Sequence, residues 1–193
     1  MKVYIHNHPQ DVTEQELKRD LAMLPEWRRN KALAYKFHSD RVLSVKAYLL
    51  LREALQEVWG IEDDSEWIYN EHEKPSLKNH PEVHFNLSHC KMGVLCVVDD
   101  HPVGCDIERI VKTVKTDLCK YSMNPQEVDQ IMAAPNPCVE FTRLWTMKEA
   151  VVKLTGQGLT TSLHDILTSM PHINLTTHVD EQHGYVYTIA TTA

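Results

Sequence analysis

Residues 81–110 read PEVHFNLSHCKMGVLCVVDDHPVGCDIERI. Val83 to Leu87 and Gly93 to Val98 have the short, apolar, β-branched character of strands. Asp99-Asp100-His101-Pro102 is a turn, and Val103 to Ile107 is a third strand. Three strands so closely spaced are expected to pair as an antiparallel meander.

Working outward, a long helix lies on each side. Upstream, Ser39 is placed to cap a helix. Its apolar residues (Val42, Leu43, Val45, Ala47, Leu49, Leu50, Leu51, Ala54, Leu55) form a broad buried face, and Gly60 marks its end. Downstream, Pro135 and Pro137 precede a helix from Cys138 or Val139 to about Thr155, with Phe141, Leu144, Trp145, Ala150, Val151, Val152 and Leu154 inward. Gly156 and Gly158 stop it. Residues 2–6 alternate as a strand. Thr13 and Glu16 form a capping-box pattern ahead of Leu17, Leu21 and Leu24, and Pro25 ends or restarts that helix. Asp63 to Pro81 reads as loop with a short strand at Trp67 to Tyr69. Pro125 to Met132 reads as a short helix, and His172 to Leu175 and Tyr185 to Ile189 as strands joined at Gln182-His183-Gly184. The order of helix and strand, repeated, predicts an α/β (α+β) fold. It has two similar small halves, 1–100 and 101–193, related by a pseudo-twofold axis. Each half is a helix on a short, mainly antiparallel sheet.

The chain has 193 residues, 42% hydrophobic and 24% charged, and a net charge of −7, as in a globular protein and unlike a general nucleic-acid binder. The first residues turn polar at His6, with no secretory signal, and no apolar run approaches a membrane span. A cytoplasmic protein with five reduced cysteines is expected, since their number is odd and no CxxC pair occurs. Charge is uneven. Arg28, Arg29, Lys31, Lys36, Arg41 and Lys46 face a single acid, Asp40, between positions 28 and 46. That is either a local anion site or a solvated helix face.

Asp106 and Glu108 stand two apart on a strand, so both carboxylates point the same way. They suit a hard divalent cation, or are plain exposed acids. Glu149 and Lys153 share a helix face at i and i+4; they are a surface pair, or a metal or proton ligand beside a phosphate ligand. Ser88 and His89 end a strand. Neighbours on an extended chain point apart and no G-x-S-x-G elbow is present, so a phosphate-binding strand end fits better than a nucleophile with its base.

Taken in order, Phe85-Asn86-Leu87-Ser88-His89, Gly104-Cys105-Asp106-Ile107-Glu108 and Trp145-Thr146-Met147-Lys148-Glu149-Ala150-Val151-Val152-Lys153, followed by Gly156-Gln157-Gly158-Leu159, resemble the 4′-phosphopantetheinyl transferase superfamily. The length is closest to its surfactin-synthetase-activating, single-chain type. The resemblance implies magnesium-dependent transfer of phosphopantetheine from coenzyme A to a serine of an apo acyl or peptidyl carrier protein. Manganese is the other candidate ion. It implies Asp106, Glu108 and Glu149 as metal ligands, with Glu149 and Lys153 catalytic. Arg28, Lys31, Arg41, Lys74, Pro75, Ser88, His89 and Lys153 would bind coenzyme A, and Lys148 has a less definite role. The carrier would dock on Ile110 to Met132 of a monomer, with neither nucleic acid nor membrane as partner. A hydrolase of the coenzyme A pyrophosphate and a non-catalytic coenzyme A or carrier-binding module are the other readings. The family often has Gly-Lys-Pro where this chain has Glu73-Lys74-Pro75, which leaves the shape of that loop open.

Overall fold

A computed structural model describes residues 1–62, 66–156, 158 and 162–192. Gln157 and Leu159 of the last motif therefore lie outside the described residues. Strand β1 (Lys2–Asn7) opens the chain. Helix α1 (Glu14–Ala22) follows, with the Thr13–Glu16 capping box formed in both directions. Pro25 is the N-cap of α2 (Glu26–Leu33), and α3 (His38–Trp59) is the first long helix. A small hairpin, β2 (Trp67–Tyr69) and β3 (Pro75–Leu77), leads to β4 (His84–His89) and β5 (Gly93–Asp99). Strand β6 (Val103–Arg109), helices α4 (Thr116–Ser122), α5 (Pro125–Ala133) and α6 (Pro137–Thr155), the short α7 (Ile166–Ser169), then β7 (Ile173–Asp180) and β8 (Tyr185–Thr192) complete it.

Two antiparallel sheets share one plan. The first has strand order β1-β5-β4 and the second β6-β8-β7. Each is a strand, a long helix and a hairpin, with the last strand between the other two. Helix α3 covers the first sheet and α6 the second. The predicted pair of α/β halves is therefore present as a repeated βαββ unit.

Strand β5 lies where the halves meet. Val94, Cys96 and Val98 belong to the core under α3, whereas Leu95 and Val97 join Cys105, Ile107, Tyr185 and Ile189 between the sheets. All five of these β5 residues are fully buried, which explains a continuous apolar run rather than an alternating one. Cutting one such side chain back to alanine costs about 2–5 kcal/mol for Leu.

The expected meander does not form. Strands β4 and β5 pair as a hairpin, but β6 pairs with β8 and never with β5. Both edges of β5 are already taken, by β1 and β4. On its other side β6 meets side chains instead of a strand: its Cys105 N donates to Asn86 Oδ1 (2.9 Å) and its Ile107 N to Ser88 Oγ (3.2 Å). Two β4 side chains thus satisfy backbone donors that a sheet would otherwise pair.

Two smaller expectations also change. Ser39 does not cap α3; the N-cap is Phe37, without a side-chain cap, and Ser39 Oγ donates to Asp40 inside the first turn. The segment after Asp63 holds a hairpin, β2 paired with β3, rather than one lone strand. All five cysteines are free thiols, and Cys96, Cys105 and Cys119 are buried.

Candidate functional site

The three motif blocks meet at the seam of the halves. Ser88 on β4, Asp106 on β6 and Lys153 on α6 form a closed knot. Ser88 Oγ donates to Asp106 Oδ1 (2.8 Å), and Lys153 Nζ donates to Asp106 Oδ1 (2.6 Å) and to Ser88 Oγ (2.9 Å). Burial, the largest single influence, would lower the Lys153 pKa, but the charge of Asp106, its hydrogen bond and the neighbouring Cys105 and Glu149 together outweigh it and the pKa is raised.

The backbone around Gly104 makes this approach available. A Cβ there would collide with the Ala150 carbonyl oxygen and the Leu154 amide nitrogen of α6. Only glycine lets β6 lie this close to the helix that carries Glu149 and Lys153.

Glu108 and Glu149 flank the knot, both half-buried. Burial pushes the Glu108 carboxyl up to about 7, helped by the charges of Asp106 and Glu149, while Lys153 and a hydrogen bond with Trp145 act the other way. Glu149 is raised by burial and by Asp106. Asp106 Oδ2 is buried without a hydrogen-bond partner. Three carboxylates repelling each other, one with an orphaned oxygen, fit a hard cation held by oxygen ligands.

Their oxygens are not drawn to ligand spacing. Among the described residues, only Asp99, Asp100 and His101 bring three such donors within 4.8 Å of one another. That group sits on the β5–β6 turn with its atoms already paired: His101 Nδ1 lies 2.8 Å from Asp100 Oδ1, and the N-terminal ammonium lies 3.4 Å from Asp99.

A cleft of about 230 Å³ opens beside the knot. It is lined by the turn 72–75, Asn86 and Leu87 of β4, and Val152, Lys153, Gly156 and Gly158 at the end of α6. Pro75 is part of its wall. His89 closes β4; burial of its ring, then the charge of Lys153, lowers its pKa.

The basic segment divides. The Arg28 guanidinium is turned into the core, 5% exposed, with Nη2 donating to Ser44 O (2.8 Å) and Ser44 Oγ (3.1 Å). It also lies 5.0 Å from the Trp67 ring centroid. Its Nη2 is committed to Ser44 while its Nε is buried without a partner. Arg29 donates to the Leu21 and Leu24 carbonyls, and Lys46 pairs with Asp20. Lys31 reaches Tyr69 OH (2.9 Å) and Arg41 the Tyr35 carbonyl (2.8 Å), both at the surface.

Two residues carry more than the sequence reading gave them. The Lys74 ammonium does not face the cleft; it donates to Leu154 O (2.9 Å) and Val103 O (3.3 Å). Lys148 is fully buried against Glu127 and the Leu163 carbonyl. Glu127 was not singled out in the sequence; locally it closes a capping box with Asn124 at the start of α5.

A duplicated βαββ fold with an acid–lysine knot at its seam places the chain among two-halved α/β enzymes. Residues 102–189 match the family model described as the 4′-phosphopantetheinyl transferase superfamily. The chain is 29% identical over 166 residues to a 4′-phosphopantetheinyl transferase of Bacillus subtilis, covering 84% of this chain and 74% of the relative. It is 26% identical over 166 residues to 4′-phosphopantetheinyl transferase Sfp of Bacillus subtilis strain 168, with the same coverage of 84% and 74%. It is 34% identical over 141 residues to 4′-phosphopantetheinyl transferase psf-1 of Bacillus pumilus, covering 70% of this chain and 59% of that relative. Over residues 102–189, a little under half of its length, the chain is similar to the 4′-phosphopantetheinyl transferase superfamily.

Proposed function

We propose that this chain transfers the 4′-phosphopantetheine arm of coenzyme A to a serine hydroxyl of an apo acyl or peptidyl carrier protein, releasing adenosine 3′,5′-bisphosphate. The observation that carries the reading is the Ser88–Asp106–Lys153 knot, with the Glu108 and Glu149 carboxylates close enough to feel the charges of Asp106 and Lys153. The family match supports it.

The serine oxygen attacks the phosphorus that bears the pantetheine arm, and the bond from that phosphorus to the leaving bisphosphate breaks. Glu149 takes the serine proton, directly or through water; its raised pKa suits that role. Lys153 donates to the phosphate oxygens and to the leaving group. Ser88 and His89 add donors at the end of β4. Asp106, Glu108 and Glu149 would hold magnesium or manganese, which when bound neutralises charge on the pyrophosphate. Lys31 and Arg41, two of the surface cations of the basic segment, bind the 3′-phosphate. Pro75 and the Lys74 stem wall the adenine.

The carrier docks on Ile110 to Met132. Leu118, Tyr121 and Met132 are exposed there at 37%, 65% and 59%, beside exposed Lys112, Lys115 and Lys120. An apolar surface edged with lysines suits an acidic helical partner. We divide the halves near residue 100 and read the enzyme as a cytoplasmic monomer, because one chain supplies both halves. Among the described residues no helix is long and apolar enough to cross a membrane.

The test is intact mass of an apo acyl carrier protein incubated with the enzyme, coenzyme A and magnesium. One added phosphopantetheine, lost with EDTA or in Glu149→Ala, is expected. No mass gain with several apo carriers, while coenzyme A is still bound or cleaved, would overturn the reading.

A further inference from the structure

We propose that Lys74 is a positioning residue. Its partly buried ammonium, together with Asn70, ties the β2–β3 turn to the last carbonyls of α6 and so sets the width of the cleft beside Lys153. That the ligand in this cleft is the nucleotide of coenzyme A rests on the functional reading above.

Three observations carry the proposal. First, the free carbonyls at the end of α6 are met from another part of the chain. Lys74 Nζ donates to Leu154 O (2.9 Å), and Asn70 Nδ2 donates to Gly156 O (2.8 Å). A helix C-terminus leaves its last carbonyls unpaired and carries partial negative charge, so an ammonium there is favoured twice over. Second, the turn is itself rigid. Asn70 Oδ1 accepts from the His72 and Lys74 amides (both 2.9 Å), and the Asn70 amide donates to Lys74 O (3.1 Å). Third, the stem fits only against glycine: a Cβ on Gly156 would lie 2.8 Å from Lys74 Cδ.

The turn and the end of α6 form facing walls of the same cleft, which His72, Glu73, Lys74, Pro75, Val152, Lys153 and Gly156 help to line. Lys153 is the residue before Leu154, so a clamp on the Leu154 carbonyl also holds the backbone from which Lys153 reaches Asp106. The Lys74 ammonium also donates to Val103 O at the start of β6 (3.3 Å), so all three elements are pinned at one point. Burial lowers the Lys74 pKa, in keeping with an ammonium enclosed by carbonyls rather than offered to a ligand.

The experiment compares wild type with Lys74→Met, Lys74→Arg and Asn70→Ala, all checked for folding by circular dichroism. Hydrogen exchange of the ligand-free enzyme is read at amides 152–156, and the coenzyme A dissociation constant by calorimetry. Faster exchange at 152–156 in Lys74→Met, and a dissociation constant raised about tenfold, are expected from losing a charged hydrogen bond. Lys74→Arg should behave like Lys74→Met, because the longer guanidinium does not fit beside Gly156; a direct phosphate contact would instead be kept by Arg. Asn70→Ala should shift both readouts in the same direction and by less, and it keeps the test open if Lys74→Met does not fold. Unchanged exchange at 152–156 overturns the clamp whatever happens to affinity. Faster exchange with unchanged affinity overturns the positioning role. If wild type binds no coenzyme A, the functional reading and the positioning role fall together, while the exchange data still decide the clamp.

Discussion

Lys148 and Glu127 form an ion pair, 2.7 Å from Nζ to Oε2, with side chains 0% and 9% exposed. Glu127 Oε2 also accepts from the Asn124 amide (2.8 Å), and Lys148 also donates to Leu163 O (2.5 Å). The pair fixes α5, inside the proposed carrier-docking surface, to the back of the helix that carries Glu149. Removing one partner leaves a buried, unpaired charge, so Glu127→Ala should lower stability by about 3–5 kcal/mol in urea unfolding. Replacing both (Lys148→Met with Glu127→Met) should recover most of that loss. A double variant as unstable as the single would show that the charges themselves, rather than the unpaired lysine, hold α5 in place.

Asp106, Glu108 and Glu149 place three acids around one cation, Lys153, and repulsion among them is stored in the fold. Removing one charge should therefore stabilise the protein while harming its chemistry. In EDTA at pH 8, Glu149→Gln should unfold at a higher temperature than wild type, by the few degrees that about 1 kcal/mol represents. Transfer to a carrier should fall at least about a hundredfold, the usual range for a lost general base. A lower melting temperature in EDTA would mean that Glu149 is a structural partner and not one of a repelling set.

The long helices and the repeated order of elements were legible because they depend on local pattern. Val94 to Val98 is apolar throughout, and α6 carries its own stops at Pro137 and Gly156. The pairing of β6 was not legible. Its partner β8 begins at Tyr185, after α4 to α7, and its other side is satisfied by Asn86 and Ser88 side chains that no strand pattern reveals. The motif residues Ser88, Asp106 and Lys153 meet as the ordered blocks implied. The direction of the basic side chains was not legible, because charge does not tell which way a side chain turns: Arg28 of the basic segment packs inward on Trp67 and Tyr48, and Lys74, outside that segment, grips carbonyls across the seam.

Three histidines make stability fall with acid. His6, His84 and His89 all have pKa values lowered below 6.5, burial being the largest cause for each. For His84 the charges of Lys74 and His101 add to the lowering, and Asp99 and Asp100 oppose it. The unfolded chain then binds protons that the folded chain refuses. The stability these histidines supply is whole above pH 6.5 and is lost as pH drops from there through the lowered folded pKa, whereas the raised Glu108 and Glu149 act in the opposite sense. Unfolding midpoints of wild type and His84→Gln, measured between pH 5 and 8, should converge toward pH 5 if wild type starts higher, or separate with wild type below the variant if they start level. A constant gap across that range would remove His84 from the effect.

Glu73 holds φ at 61°, the left-handed region where a side chain is strained. The family's glycine at this position meets that demand, and the present chain keeps the turn while bearing the strain. Glu73→Gly should stabilise by about 0.5–1 kcal/mol, the relieved strain exceeding the added freedom of the unfolded chain. A variant less stable than wild type would mean that the Glu73 side chain makes a contribution larger than its backbone strain.

Gly104 gives the sharpest test of the seam. A methyl group at this position meets backbone, the Ala150 carbonyl oxygen and the Leu154 amide, and backbone inside a helix cannot swing aside as a side chain can. Gly104→Ala must therefore push α6 away from β6. The displaced helix carries Lys153, whose 2.6 Å contact with Asp106 crosses this same gap, and Leu154, whose carbonyl Lys74 grips. Stability and transfer should fall together: about 1–3 kcal/mol in urea unfolding, the usual cost of overpacking, and at least a hundredfold in kcat/KM, as expected for a displacement of about 1 Å near reacting groups. Gly93→Ala is the comparison. There the nearest atom is the Ile107 Cδ1 methyl at 3.0 Å, the far end of a side chain that can rotate, so transfer should stay within a fewfold of wild type. Equal losses in the two variants would mean that general crowding of the core, rather than the approach of β6 to α6, governs the site.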